Sequence, residues 1–280
     1  MKNILVPTDF SGSSVNAAVF AAQLTHTLKP SKILLMHCFE PVLIASEVPY
    51  PAPYYSGDLM ESSLQKLNDL KSKLLNDINP VTLIEVITSD KPLTESIKGV
   101  IKIQNVDLVV IGSSEKGAME KMLVGSSTRD IIKSSDAPVL VVPQKKISPA
   151  VNTIAFATDF KNNSIVPSDT IKSIVSAFDA KLFIVNVSEE GELDPDTILN
   201  QENFHRLWNS ENAEYHYVTN KNIVKGIKAF VDEYQIQLLI LIPQHHAFFE
   251  GIFHSSITKE FSFDNDIPVL FMKENTNANN

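Results

Sequence analysis

Cysteine is nearly absent: Cys38 is the only one in 280 residues. A single thiol excludes an intramolecular disulfide and leaves any zinc site to histidine and carboxylate. Dense Lys/Arg clusters are missing, and the net charge is −9. A duplex-binding protein needs a basic face to displace counterions, so nucleic acid is not an expected partner. Long hydrophobic runs are missing as well. LVVIG at 108–112 and LLILIP at 238–243 are strand-length and far short of a bilayer span, so no membrane partner is expected. The start, MKNILVPTDF, offers three apolar residues before Pro7, too few for a signal-peptide core. A cytoplasmic protein is the expectation. The patterns GxxxxGK[ST], GxGxxG and GxSxG do not occur, which removes the P-loop, the dinucleotide fingerprint and the nucleophile elbow.

What is present is a chain written twice. NILVPTDF at 3–10 returns as NTIAFATDF at 152–160, and SKILLMHCF at 31–39 returns as AKLFIVNVS at 180–188. SIKGVIKIQNVDLVVIG at 96–112 returns as GIKAFVDEYQIQLLILI at 226–242. SSTRDIIKSSDAPVLVV at 126–142 returns as SSITKEFSFDNDIPVLFM at 255–272. The order is kept, and the offset falls from about 150 to about 130 because the first copy carries VLIASEVPYPAPYYSGD at 42–58. Two domains are expected, 1–145 and 150–274, which suits a prior of roughly 100–200 residues per domain. The junction is the polar QKKISPA at 144–150.

Within a copy, short apolar runs alternate with helical periods. Strands are expected at Ile4–Val6, Ile33–Met36, Thr82–Ile87, Leu108–Ile111 and Val139–Val142. Helices are expected at Ser13–Leu28, Met60–Ile78, Leu93–Ile103 and Ser126–Lys133, with Ser11, Ser13 or Ser14 as the first N-cap. The second helix is marked by Leu64, Leu67, Leu70, Leu74 and Ile78. Leu207 and Trp208 fit its counterpart in the second copy. Continuous apolar strands alternating with helices imply a parallel sheet covered on both faces. Ligands of such sheets bind beyond the carboxyl ends of the strands, at the switch in strand order. Asp9, Cys38 and Gly112 are expected just past such ends.

Two readings stand for the residues there. Gly112 and Gly125 let backbone amides approach an anion, with Ser126, Ser127 and Thr128 adding hydroxyls at a helix N-terminus. Equally, Gly112 makes a tight turn and Gly125-Ser126 only caps a helix. Asp9 can accept from a ribose hydroxyl or an adenine amino group, or it can cap the first helix and tie down its loop. In the second copy Gly112 becomes Ile242 followed by Pro243, and Gly125 becomes His254. The bulky PQHHAFFEGIFH at 243–254 is not expected to cradle phosphate. His245, His246 and His254 read as exposed or packed residues, because neighbouring histidines on an extended segment point opposite ways. Phe248, Phe249 and Phe253 read as core or interface, and YPAPYY at 50–55 as a solvated insertion, with a lid or contact patch as the alternative. Ser11, His37 and Asp9 lie near strand ends without the spacing of a catalytic set, so no catalytic residue and no metal ligand is assigned.

PTDFS at 7–11, LLMHCFEP at 34–41, DLVVIG at 107–112, VGSST at 124–128 and APVLVV at 137–142, in this order, resemble a tandem member of the universal stress protein family. The resemblance implies two tandem five-stranded parallel-sheet α/β sandwiches, Rossmann-like and of the adenine nucleotide alpha hydrolase type. It implies pairing of the halves through their last strands, Val139–Val142 against Val269–Met272, as an internal pseudo-dimer; a homodimer of the tandem chain is left open by the sequence. It also implies a stress-response protein that binds ATP or AMP in the N-terminal half and works with unidentified protein partners; no metabolic reaction is expected, and slow ATP hydrolysis, for which no base is placed, stays open. An ATP pyrophosphatase relative would need a Ser-Gly-Gly loop, and TDFSGSS at 8–14 has only Gly12.

Nucleotide-binding members carry glycine, two residues, glycine, nine residues, then glycine with serine or threonine. Gly112 matches the first glycine and Gly125-Ser126 the last pair, while Glu115 replaces the second. Carried over, Pro7, Thr8 and Asp9 would face adenine and ribose, and the Cys38 backbone would border adenine. Ile111 and Gly112 would floor the site, and Gly125, Ser126 and Ser127 would hold phosphates. An inward Glu115 carboxylate would cost about 4 kcal/mol at roughly 4 Å from a phosphate charge, roughly a thousandfold in affinity, unless Lys116 and Lys121 offset it. The alternative is a nucleotide-independent structural or signalling module with both sites inactive.

Overall fold

The computed structural model describes residues 1–39, 56–113, 126–159, 166–188, 202, 204–208, 213–242 and 267–274. The chain divides into two compact units, Met1–Gly112 with Ser126–Val139, and Leu140–Asn280 with 113–125.

In the first, β1 (Asn3–Pro7) leads through α1 (Gly12–Leu28) to β2 (Lys32–Cys38), then through α2 (Ser56–Leu74) to β3 (Leu83–Ser89). The chain returns through α3 (Leu93–Gln104) to β4 (Leu108–Gly112), and α4 (Ser126–Ser134) precedes β5 (Val139–Val142), of which Val139 belongs to this unit. The strand order is β3-β2-β1-β4, all parallel. The Val109 N–H donates to the Pro138 carbonyl at 2.9 Å where β5 enters. The chain therefore steps outward from β1 to β3 and then jumps back to the other side of β1. Right-handed crossovers then place α1 and α2 on one face and α3 and α4 on the other. The contacts agree, since α1 packs with α2 and α3 with α4.

The central strands are apolar throughout because both faces are covered. Ile4, Leu5 and Val6 of β1 and Ile33 to Met36 of β2 are fully buried. β3 departs from that expectation. It lies at the edge of the order and starts exposed–buried–exposed, with Leu83 at 64% exposure. α2 begins four residues before the expected Met60 and ends at Leu74, ahead of Ile78, which is buried beyond the helix. Asn79-Pro80 follows, and proline disfavours helical backbone in the residue before it. Leu67, Leu70 and Leu74 form the buried stripe.

The second unit repeats the pattern. β6 (Thr153–Ala157), α5 (Ser168–Phe178), β7 (Lys181–Ser188) and β8 (Ala213–Thr219) are followed by α6 (Ile223–Glu233), β9 (Leu238–Leu241) and β10 (Val269–Phe271). Residues 204–208 are helical and bury Trp208, as expected. The order is β10-β9-β6-β7-β8, again parallel. Registers match between the copies: Ile4 pairs with Leu108, and Ile154 with Leu238. The Leu239 N–H meets the Pro268 carbonyl at 3.2 Å, just as Val109 meets Pro138. Among the described residues no helix is long and apolar enough to cross a membrane.

Candidate functional site

The reversal of strand order falls between β1 and β4, so their carboxyl ends border the crevice where parallel sheets hold ligands. Pro7, Thr8 and Asp9 stand at the end of β1, Cys38 at the end of β2, and Ile111 with Gly112 at the end of β4. These six residues come from three adjacent strands. Cys38 and Gly112 are the last residues of their strands rather than residues just past them.

Thr8 is buried, and its polar groups are turned inward. Its N–H donates to the Met36 carbonyl at 2.8 Å, and its Oγ1 accepts from the Phe10 N–H at 3.0 Å and contacts Ser14 Oγ at 2.9 Å. Its carbonyl lies 2.7 Å from His37 Nδ1. A carbonyl only accepts, so Nδ1 carries the proton in this contact. Asp9 is the exposed member of the group. One carboxylate oxygen accepts from the Ser11 N–H at 3.0 Å. Desolvation pushes the Asp9 carboxyl up, but hydrogen bonds from the Ser11 hydroxyl, the Ser11 N–H and Ser14 outweigh it and hold the group below its ordinary range. Both readings of Asp9 thus have a footing: the residue ties its loop, and its carboxylate remains at the surface.

Ser11 is the N-cap of α1, its side chain accepting from the Ser14 N–H. Of the three serines considered, the cap falls to the first. Ser11 Oγ also lies 3.2 Å from Ser13 Oγ and Ser11 bonds Asp9, whereas His37 is turned to the Thr8 carbonyl, so His37 does not link Ser11 to Asp9 as a relay would. The Cys38 thiol is half-buried. Burial raises its pKa, partly countered by a hydrogen bond with Ser96 on α3.

Gly112 has a third explanation beside the cradle and the turn. A Cβ on it would lie 2.4 Å from the Ser13 carbonyl oxygen and 3.0 Å from the Ser14 nitrogen. The first turn of α1 thus occupies the space a side chain would need, and glycine is required there with or without a ligand. Ile111 is buried beneath it.

Ser126 opens α4 and Ser127, its second residue, is exposed; the first amides of a helix have no partner within it, and Ser127 adds a hydroxyl beside them. Glu115, Lys116, Gly117, Lys121 and Gly125 lie outside the described residues, as do His245, His246, His254, the phenylalanines at 248–253 and the loop at 50–55. Among the described residues no group of His, Cys, Asp and Glu gathers to hold a metal.

Sequence reasoning missed Phe10 and the part played by His37. A signal for His37 existed. Its counterpart Asn186 donates from Nδ2 to the Thr158 carbonyl at 2.9 Å, so both copies place a side-chain N–H donor at this point. No residue pattern announced Phe10.

The fold is that of a Rossmann-like α/β protein with a switch-point crevice in its first unit. Residues 1–143 match the family described as "Universal stress protein family", and the chain belongs to that family. A curated relative, universal stress protein MJ0577 of Methanocaldococcus jannaschii, is 29% identical over 158 residues, covering 51% of this chain and 96% of its own. A solved universal stress protein from Archaeoglobus fulgidus is similar over 97% of this chain and 98% of its own, at a TM-score of 0.71 and 18% identity. A further universal stress protein structure, from Pseudomonas aeruginosa, is similar over 98% and 94%, at a TM-score of 0.61 and 13% identity. At those identities the two structures speak for the fold over the whole length, and not for a ligand.

Proposed function

We propose that the first unit binds an adenine nucleotide, ATP or AMP, at the carboxyl ends of β1 and β4, and that the second unit carries no such site. The observation behind this reading is the exposed Asp9 carboxylate at the switch-point end of β1, in a chain of this family. Ser127 at the start of α4 supports a phosphate end of the same site, and a shorter phosphate chain places less charge against Glu115. Nucleotide is held and not processed, since Ser11, His37 and Asp9 are engaged in the loop. The protein works through protein partners whose chemistry the site does not specify.

Calorimetry of the full chain with ATP, ADP and AMP tests the reading. Heat is expected for at least one of them; none at high micromolar protein would sink it. Asp9→Asn is expected to weaken binding, and Gly125→Val to abolish it. A second reading, a nucleotide-independent interaction module, draws on one observation: the α1 backbone fills the space over Gly112, so that glycine answers to packing. The same titration separates the two.

A further inference from the structure

Five non-glycine residues have positive φ among the described residues. Lys29, Asn105, Asp179 and Gln235 lie just past the ends of helices, where left-handed backbone is routine. Phe10 is the exception: at φ 64° it lies between the end of β1 and the cap of α1. A bulky side chain in this region costs on the order of 1–3 kcal/mol and persists only where its surroundings over-determine it.

The surroundings do so here. The Phe10 N–H donates to Thr8 Oγ1 at 3.0 Å. Its ring lies 4.6 Å from the His37 ring, centroid to centroid, with the planes tilted by 46°. The Lys66 ammonium, on α2, stands 5.7 Å from the centroid of the same ring. His37 is itself fixed by its bond to the Thr8 carbonyl. Thr8 therefore holds Phe10 twice, directly through its hydroxyl and indirectly through His37. The second copy keeps the carbonyl tie with Asn186, which has no ring. The imidazole is thus more than the tie requires, and the excess is the contact with Phe10.

We infer that Phe10 is the positioning residue of the candidate site: its left-handed turn, clamped by His37, holds the neighbouring Asp9 carboxylate outward at the end of β1. The turn sets Asp9 and Ser11 so that the Ser11 N–H reaches the Asp9 carboxylate, and Ser11 then caps α1. Phe10 acts through Asp9 and needs no contact with a ligand. The ligand part of the inference rests on the nucleotide reading; the positioning part does not.

The test uses the full chain and follows the Asp9 carboxyl carbon by NMR through an acid titration. In the native chain Asp9 titrates below the ordinary aspartate range, held there by Ser11 and Ser14. Lys66 and His37 are the charged or titratable side chains against Phe10 on the described elements. In Phe10→Ala the Asp9 midpoint is expected to rise toward the ordinary value, and in Phe10→Tyr to stay at the native one. His37→Asn keeps the Thr8 tie and removes the ring, so it is expected to shift Asp9 in the same direction. It also supplies the readout if Phe10→Ala fails to fold. An unchanged Asp9 midpoint in a folded Phe10→Ala or His37→Asn chain overturns the inference. Calorimetry with AMP and ATP is expected to show about a tenfold weaker Kd, about 1.4 kcal/mol, for Phe10→Ala and His37→Asn and a native Kd for Phe10→Tyr. If the native chain binds neither while the Asp9 midpoint still moves, the nucleotide reading fails and the positioning role stands.

Discussion

The first helix of each copy ends alike and begins differently. α1 and α5 both finish on a left-handed residue, Lys29 and Asp179, at matching points of the repeat. α1 starts at Gly12 behind the Ser11 cap, whereas α5 starts at Ser168, six residues later in the repeat, behind Pro167 and without a side-chain cap. The strand end facing that start differs too. Gly112 has α1 backbone where its side chain would be, and its counterpart Ile242 is buried at 3% exposure. The first copy thus fills the volume with helix backbone, and the second buries a side chain at that strand end. Among the described residues, only the first copy shows helix backbone packed against this strand end.

The strongest break of this comparison is to give the first copy the second copy's residue. Gly112→Ile is expected to destabilise the first unit by more than about 3 kcal/mol, because the obstacle is main chain and cannot turn aside. The reverse change, Ile242→Ala, opens a hole and is expected to cost about 3 kcal/mol. Denaturant titration with probes in each unit reads both; a cost under about 0.5 kcal/mol for Gly112→Ile would show that the close approach is absent.

The tie beneath the site is the next contrast. His37→Ala leaves the Thr8 carbonyl without its side-chain donor and is expected to cost about 1–2 kcal/mol, as is Asn186→Ala at Thr158. His37→Asn is expected to recover most of that stability, since Asn186 already makes the equivalent bond. Failure to recover would mean that the two ties are not equivalent.

A smaller exchange lies one strand over. Cys38 bonds Ser96 in the first copy, while Val187 faces Gly226 in the second, where an added Cβ would lie 2.4 Å from Val187 Cγ1. Cys38→Val alone is expected to destabilise, and Ser96→Gly beside it to restore about 1 kcal/mol, seen as a coupling in a double-mutant cycle. Additive single effects would argue against compensation.

The smallest effect is acid stability. Because the Asp9 carboxyl is held below its ordinary range, its contribution is present above the unfolded-state pKa and is lost as pH falls through the lower folded-state value. Asp9→Ala is expected to lower stability near neutral pH, where the contribution is fully present, and to cost progressively less as pH falls through that acid window, which flattens the profile there. An equal loss at neutral and acid pH would assign the effect to packing.

Much of this was legible in the residues. The runs ILV, ILLM, LVVI and VLVV are apolar on both faces, as strands covered by helices must be, and they recur in order in the second copy. The cap serines, the leucine stripe of α2 and the Gly112–Ile242 difference were visible too. The early start of α2 was not, because Ser56, Gly57 and Asp58 carry no apolar period and only the helix itself reveals its first turn.

By itself, then, the sequence determined the alternation of strands and helices, their repetition and the positions of the strand ends, because these follow from burial along a local period. Only the tertiary structure decided what the residues at those ends are for. Gly112 answers to a carbonyl 99 positions earlier in the chain, His37 to the end of another strand, and Phe10 to a ring and a hydroxyl that together hold its left-handed backbone. Such contacts are long-range in sequence or depend on backbone angle, and neither is encoded by a local period.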